Sequence, residues 1–435
     1  MYGGLLKSAS ALAIVAAAGL FGISSAKAAD LGGDCCADLE ERVAELEATT
    51  ARKGTRKVSL TISGQISQEL LFWDDGIRKD MYVTGPNSSN SRWRFLGQAK
   101  ISPEVSAGFL YEFQVYGSAS SGVNQTNGGD DGGATLNGTG SGLGMLREAM
   151  AWIEHSRLGR ISIGHGSTAA NNAILVDLSG KGMAASNGVF LHPSAFLIAN
   201  GIGTYSTFTW GNFFQGTGDW LNTRNEHIQY RTPTVAGFSL GASVGEDNYW
   251  DVEGRYSGEF NGVRIAARLG YSVLSEFNLP AAALTCNQNC EKKIEQLAGS
   301  MSIRHMPTGL FFTGAAGRRE TSNYQFAAAG PVFSSDSSFF YLSGGVARNI
   351  TGLGDTVVYG EYSQWKGVGA EVNVLLLESD KLTHWGVGIV QHVDAAAMEF
   401  WLAYKNYSLD SAGFNALVNG AEDLHSITAG TRIRF

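Results

Sequence analysis

Proline is scarce, with 7 residues in 435, and charge is low, with Asp, Glu, Lys and Arg together at 17%. Globular chains ordinarily carry about 5% Pro and about 25% charged residues. Low charge with 44% hydrophobic residues excludes a disordered chain, which needs the reverse. There is no basic excess: 32 Lys and Arg stand against 40 Asp and Glu, a net charge of −8. A nucleic-acid-binding surface requires the opposite sign. The chemical signatures are missing too. The chain has no HExxH, no G-x-S-x-G, no P-loop and no clean G-x-G-x-x-G, so no enzyme class and no cofactor is indicated. The Gly-rich run from Gly128 to Gly144 contains no Lys and reads as a loop, not a phosphate cradle. After the first 29 residues no uncharged apolar stretch of 18 or more appears, which excludes helical membrane spans there. Glycine, by contrast, is abundant at 57 residues, without the period of three that collagen needs.

The N-terminus reads as an export signal over residues 1–29. Lys7 is the positive head, Ala9 to Ile23 the apolar middle, and Ala26-Lys27-Ala28 the cleavage site. Gly32-Gly33-Asp34 before Cys35 is not a lipidation box, so the mature chain is expected as a bacterial envelope protein. Four cysteines suit an oxidising compartment. Cys286 and Cys290 are a candidate loop disulfide; without a nearby His they make a poor metal site. Residues 30–56 form a periplasmic segment in which Leu39, Val43, Leu46 and Thr50 follow the 4-3-4 spacing of a coiled coil. Two heptads associate only if something else gathers the chains; the alternative is a solvated single helix.

From residue 57 to 435 the period becomes two. Val58, Leu60 and Ile62 alternate with Ser59, Thr61 and Ser63, and Ile427, Ala429, Thr431 and Ile433 with Thr428, Gly430, Arg432 and Arg434. Such alternation gives each strand one apolar and one polar face. Sixteen strands are predicted, at 57–72, 91–102, 105–118, 145–156, 159–167, 223–232, 236–247, 249–259, 261–273, 294–305, 308–320, 337–349, 354–365, 381–393, 395–409 and 422–435. Tight turns such as Ser102-Pro103-Glu104 and Met306-Pro307 alternate with connections that are mostly long. Even strand number with short turns at one end and long loops at the other marks an antiparallel transmembrane β-barrel of the outer membrane, surrounded by lipid and lipopolysaccharide. In lipid such a sheet must close, because nothing there satisfies an open edge.

The connection of about residues 167–222 holds only Asp177, Lys181 and Asp219 as charges, yet contains Ala173-Ile174-Leu175-Val176 and Ala195-Phe196-Leu197-Ile198. It is too apolar for a free surface lid and is expected to fold into the barrel as a constriction; capping the mouth or a subunit contact are the alternatives. Parity then assigns the wall. Arg92 and Arg94 on the second strand face in if Trp93 and Phe95 face out, and Arg255 and Arg268 face in on the eighth and ninth. Arg147, Arg224 and His227 join them as wall candidates, with Asp177 and Asp219 on the loop. Arg255 has Asp251 and Glu253 beside it, so Arg94 is expected to weigh more on ion preference. Tyr205, Phe208, Trp210, Phe213 and Phe214 would suit an aromatic track for a selected substrate.

Several short stretches resemble one family in combination. Glu154 to His165, Tyr230-Arg231-Thr232-Pro233 through Gly237-Phe238, and the segment from Asp38 through Leu60 look like those of alphaproteobacterial general porins. The resemblance covers about residues 37 to 435. It implies a homotrimer of sixteen-stranded barrels that pass ions and small hydrophilic solutes passively, without enzymatic activity. Phe435 resembles the terminal aromatic that the barrel assembly machinery reads. The acidic Pro-Glu-Phe-Gly-Gly-Asp element of enterobacterial porins is missing, so their eyelet residues do not carry over. A substrate-selective channel, or a structural or adhesive barrel closed by its loops, are the rival expectations.

Overall fold

The computed structural model describes residues 57–115, 118–128, 145–185, 194–214, 220–221, 224–246, 248–277, 291–325, 332–369, 379–412 and 420–435. The predicted helix at Leu39, Val43 and Leu46, the Cys286/Cys290 pair and Asp219 lie outside them. The strands in chain order are β1 (Ser59–Asp74), β2 (Lys79–Thr84), β3 (Arg92–Lys100), β4 (Val105–Gln114), β5 (Met145–His155), β6 (Gly159–Ser167), β7 (Leu197–Ala199), β8 (Tyr205–Thr209), β9 (Arg224–Arg231), β10 (Phe238–Gly245), β11 (Trp250–Phe260), β12 (Val263–Phe277), β13 (Glu291–His305), β14 (Leu310–Gln325), β15 (Val332–Arg348), β16 (Thr356–Lys366), β17 (Ser379–Val393), β18 (Met398–Ala412) and β19 (Leu424–Arg434).

Seventeen strands form one sheet, and β7 and β8 pair separately. Within the large sheet β2 only extends one edge of β1, pairing Glu69–Asp74, while β3 pairs with Ser59–Gln65 on the same edge. The other sixteen close a ring. The seam is β1 with β19, from Gln65 opposite Arg434 to Asp74 opposite His425. All sixteen predicted strands are thus present; β2, β7 and β8 are additional and lie inside the predicted long connections.

Local chemistry explains the hairpins. Asn261 and Gly262 both have positive φ (49° and 75°) between Phe260 and Val263, which pair with each other. Two left-handed residues make a type I′ turn, whose twist matches that of the flanking strands, and Asn-Gly is the preferred pair. On the outer face apolar side chains stand free, among them Leu240, Val252, Leu269, Leu297, Met301 and Phe312. The intervening positions, such as Ser243, Asp251, Ser300, Ser302 and Thr313, are buried and polar. That inversion of a soluble protein is what a lipid-facing barrel requires.

Candidate functional site

The connection between β6 and β9 touches the polar face of many strands. Ala169 N donates to Ser243 Oγ (2.7 Å) and Ala170 N to Asp251 Oδ2 (2.9 Å). Val176 N and Leu178 N, two residues apart, donate to Ser300 Oγ and Ser302 Oγ, also two apart, each at 3.0 Å. Asp177 accepts from Thr313 Oγ1 (3.3 Å), the Lys181 ammonium lies 5.5 Å from the Tyr341 ring centre, and Gly180 O meets His392 Nε2 at 3.0 Å. These partners run from β10 to β17, half the ring, and all lie on the same face. A chain segment can reach them together only from inside the barrel.

Its second half is held by apolar contact. Phe196, Ile198, Phe208, Trp210, Phe213, Phe214 and Trp220 join Trp73, Phe339, Trp365, Tyr407 and Leu409 of the wall in one buried cluster. Trp220 meets Phe339 edge-on at 4.8 Å, and Phe214 meets Tyr407 at 5.7 Å. Aromatic pairs at such distances contribute about 0.5–1.5 kcal/mol each beyond area burial. Tyr205 is half-buried, but Phe208, Trp210, Phe213 and Phe214 are consumed by this core. They are not available as a track for solute.

Among the charge clusters of the described inner wall, which include Glu399 with Arg432 and Arg434 and Glu361 with Lys405, two gather three arginines around one glutamate. In the first, Glu112 of β4 receives Arg92 (3.4 Å) and Arg94 of β3 and Arg147 of β5 (2.8 Å). Arg92 also donates to Ser89 Oγ (3.1 Å) and Asn90 O (3.2 Å), and Arg147 to Gln114 Oε1 (2.5 Å). In the second, Glu253 of β11 receives Arg231 of β9 (3.3 Å), Arg255 of β11 itself and Arg268 of β12. Arg255 reaches on to Ala169 O (3.3 Å) and Arg268 to Asn171 O (2.7 Å), both on the inserted connection. Each cluster leaves a formal surplus of two positive charges. Glu112 and Glu253 are buried, while Arg94, Arg231 and Arg255 stay about a quarter exposed.

The family profile for Gram-negative porins matches residues 9–432. The chain belongs to the Gram-negative porin family. It forms a β-barrel of the bacterial outer membrane and serves as a diffusion channel. No curated protein sequence is a significant match. Several solved structures share the fold of this porin. An anion-selective porin from Comamonas acidovorans aligns at 14% identity and TM-score 0.56, over 87% of this chain and 100% of its own. The trimer form of OmpT of Vibrio cholerae aligns at 12% identity and TM-score 0.50, over 87% and 99%. The channel DcaP of Acinetobacter baumannii aligns at 8% and 0.52, over 89% and 100%.

The porin brings together Arg92, Arg94 and Arg147 around one carboxylate, and Arg255 with Arg268 around another. Arg224, at the start of β9, is half-buried and within electrostatic reach of Arg92. His227 is 4% exposed, its Nδ1 at 2.9 Å from Asn225 O, and so is a wall residue without access to solute. Three residues apart on a strand, Arg224 and His227 could not both face the lumen. Asp177 is turned to the wall, 3.7 Å from buried Lys181. Sequence reasoning passed over Glu112 and Arg231 as site residues, and took Glu253 only as a neighbour of Arg255. The expected contrast between Arg94 and Arg255 is also altered, because each shares its glutamate with two further arginines. One signal was present: a tight turn at Pro103 places Arg94 opposite Glu112.

Proposed function

We propose that this porin is a general diffusion channel with a preference for small hydrophilic anions, narrowed by the connection of residues 168–223. One observation carries the reading: two clusters on the inner wall, each of three arginines around a single glutamate, with Arg94, Arg231 and Arg255 still about a quarter exposed. The partly exposed members make the local potential positive, and at physiological salt that potential reaches about 8 Å. Rings of Arg and Lys favour anions at a constriction. The fold neighbour named as an anion-selective porin agrees with this. Asp177 does not oppose it, being paired with Lys181.

The same reading takes the chain to be non-enzymatic and of the alphaproteobacterial type, with a signal peptide over 1–29, a periplasmic coiled-coil segment over 30–56 and the barrel over 57–435. It assembles as a homotrimer, as the trimer form of OmpT does. The barrel assembly machinery recognises the C-terminus: Phe435 is 64% exposed, with its backbone bonded both ways to Gly64. The test is the zero-current potential of single channels in planar bilayers under a potassium chloride gradient. Anion preference is expected, and a cation-preferring channel would overturn the proposal. Equal liposome swelling rates for sugars and amino acids of one size are expected; a single fast solute would instead indicate a selective channel.

A further inference from the structure

The outer face of β14 to β18 changes character near the ends that carry the long connections. Over most of the height it is apolar, with Phe312, Leu342, Val358, Val387 and Leu402 exposed. Nearer those ends come Phe340, Tyr362, Trp385 and Tyr404, paired at 5.9 Å (Phe340 with Tyr362) and 5.2 Å (Trp385 with Tyr404). Aromatic rings with polar tips gather where hydrocarbon gives way to headgroups. One or two rungs further on, a single cross-strand row reads Arg318, Ser338, Lys366, Lys381, Asp410. Their neighbours Trp365 and Leu382 are fully buried on the inner face, so alternation sends Lys366 and Lys381 outward.

The charges in this row do not balance. Arg318 is paired with Asp336 (3.1 Å) and Lys381 with Asp410 (3.1 Å), both at exposed positions. Lys366 is directly opposite Lys381, and no carboxylate among the described residues lies within ion-pair distance of it. Like charges directly opposite on adjacent strands destabilise a sheet. Such a pair is stabilised by an external anion. Immediately above an aromatic girdle, the anion present at high density is the phosphate of a lipid headgroup, and long Lys stems can carry their ammonium groups up to it.

We infer that Lys366 and Lys381, flanked by Arg318 and seated above the Tyr362 and Trp385 girdle, form a docking site for a phosphorylated lipid headgroup of the surrounding leaflet. The site is on the outer wall and takes no part in solute passage. The test uses the purified full-length protein folded in detergent and lipid A, a bis-phosphorylated glycolipid, as probe. Replacing both lysines (Lys366→Gln with Lys381→Gln) should weaken lipid A binding roughly thirtyfold, from the ~1 kcal/mol that each basic residue contributes at an anionic surface. Arg157→Gln, at an exposed turn on the opposite end, should leave binding unchanged. Millimolar inorganic phosphate should not displace the lipid, because the girdle contributes apolar contact that a free ion cannot make. Unchanged zero-current potential and heat-modifiability would show that both variants are folded and that the lumen is intact. Wild-type affinity in the double variant, an equal loss in Arg157→Gln, or displacement by phosphate alone would each overturn the site.

Discussion

The Glu112 and Glu253 clusters have the same composition and the same surplus charge, yet their arginines spend their remaining donors differently. Around Glu112 the spare N–H groups go to Ser89, Asn90 and Gln114, all on the wall or its own connections. Around Glu253 they go to the carbonyls of Ala169 and Asn171, where the inserted connection leaves β6, while neighbouring Asp251 accepts Ala170 N. The first cluster displays charge. The second both displays charge and clasps the inserted connection. Residue composition alone therefore does not assign a role; the destination of the spare donors does.

The largest effects should come from removing the hubs. Glu112→Ala and Glu253→Ala each strand three arginines, and an uncompensated buried charge costs about 3–5 kcal/mol. Both variants should lose heat stability, read as a lower temperature for the folded-to-unfolded shift on gels. Only Glu253→Ala should also raise current noise in single-channel records, because its arginines no longer hold Ala169 and Asn171. Equal noise in the two would show that Glu253 is not a clasp.

Much of this was legible in the chain, for physical reasons. Strand positions follow from two-residue alternation, and a register such as Arg94 opposite Glu112 follows from the tight turn between them. Arg147 reaches the same glutamate across a connection of some thirty residues and a bulge beside Glu112, and no local rule gives that register. The aromatic set from Phe208 to Phe214 was ambiguous in the same way. Exposed aromatics would make a track, buried ones a core, and only the wall partners Trp365 and Tyr407 decide for the core. Local spacing reveals faces; contacts across long connections need the folded chain.

A smaller effect tests charge display in both clusters. Arg94→Glu and Arg255→Glu each change the local charge by two units. In water a unit charge at ~8 Å contributes about 0.5 kcal/mol, so two units disfavour an anion and favour a cation by about 1 kcal/mol each, and the anion-to-cation permeability ratio should fall roughly thirtyfold in either variant. Arg255→Glu should add noise through loss of its contact to Ala169 O (3.3 Å), which Arg94→Glu leaves intact. A ratio that moves for Arg94 but not for Arg255 would place only the Glu112 cluster beside the permeating ion.

The smallest effect separates charge from shape. Lysine keeps the charge of arginine but not its planar fork, so it cannot serve two acceptors in fixed directions. Arg94 uses Nε and an Nη on the same carboxylate, Glu112, and has 23% of its side chain exposed. An ammonium can satisfy that single partner, so Arg94→Lys should leave the permeability ratio within about twofold and stability within about 1 kcal/mol, as for a partly exposed pair. Arg268 divides its fork between Glu253 and Asn171 O (2.7 Å) and is only 13% exposed. Arg268→Lys must give up one of the two, so it should keep the permeability ratio while adding the noise expected of Glu253→Ala at lower amplitude. Silence of Arg268→Lys in single-channel records would mean that Arg255 and Asp251 hold the connection without it.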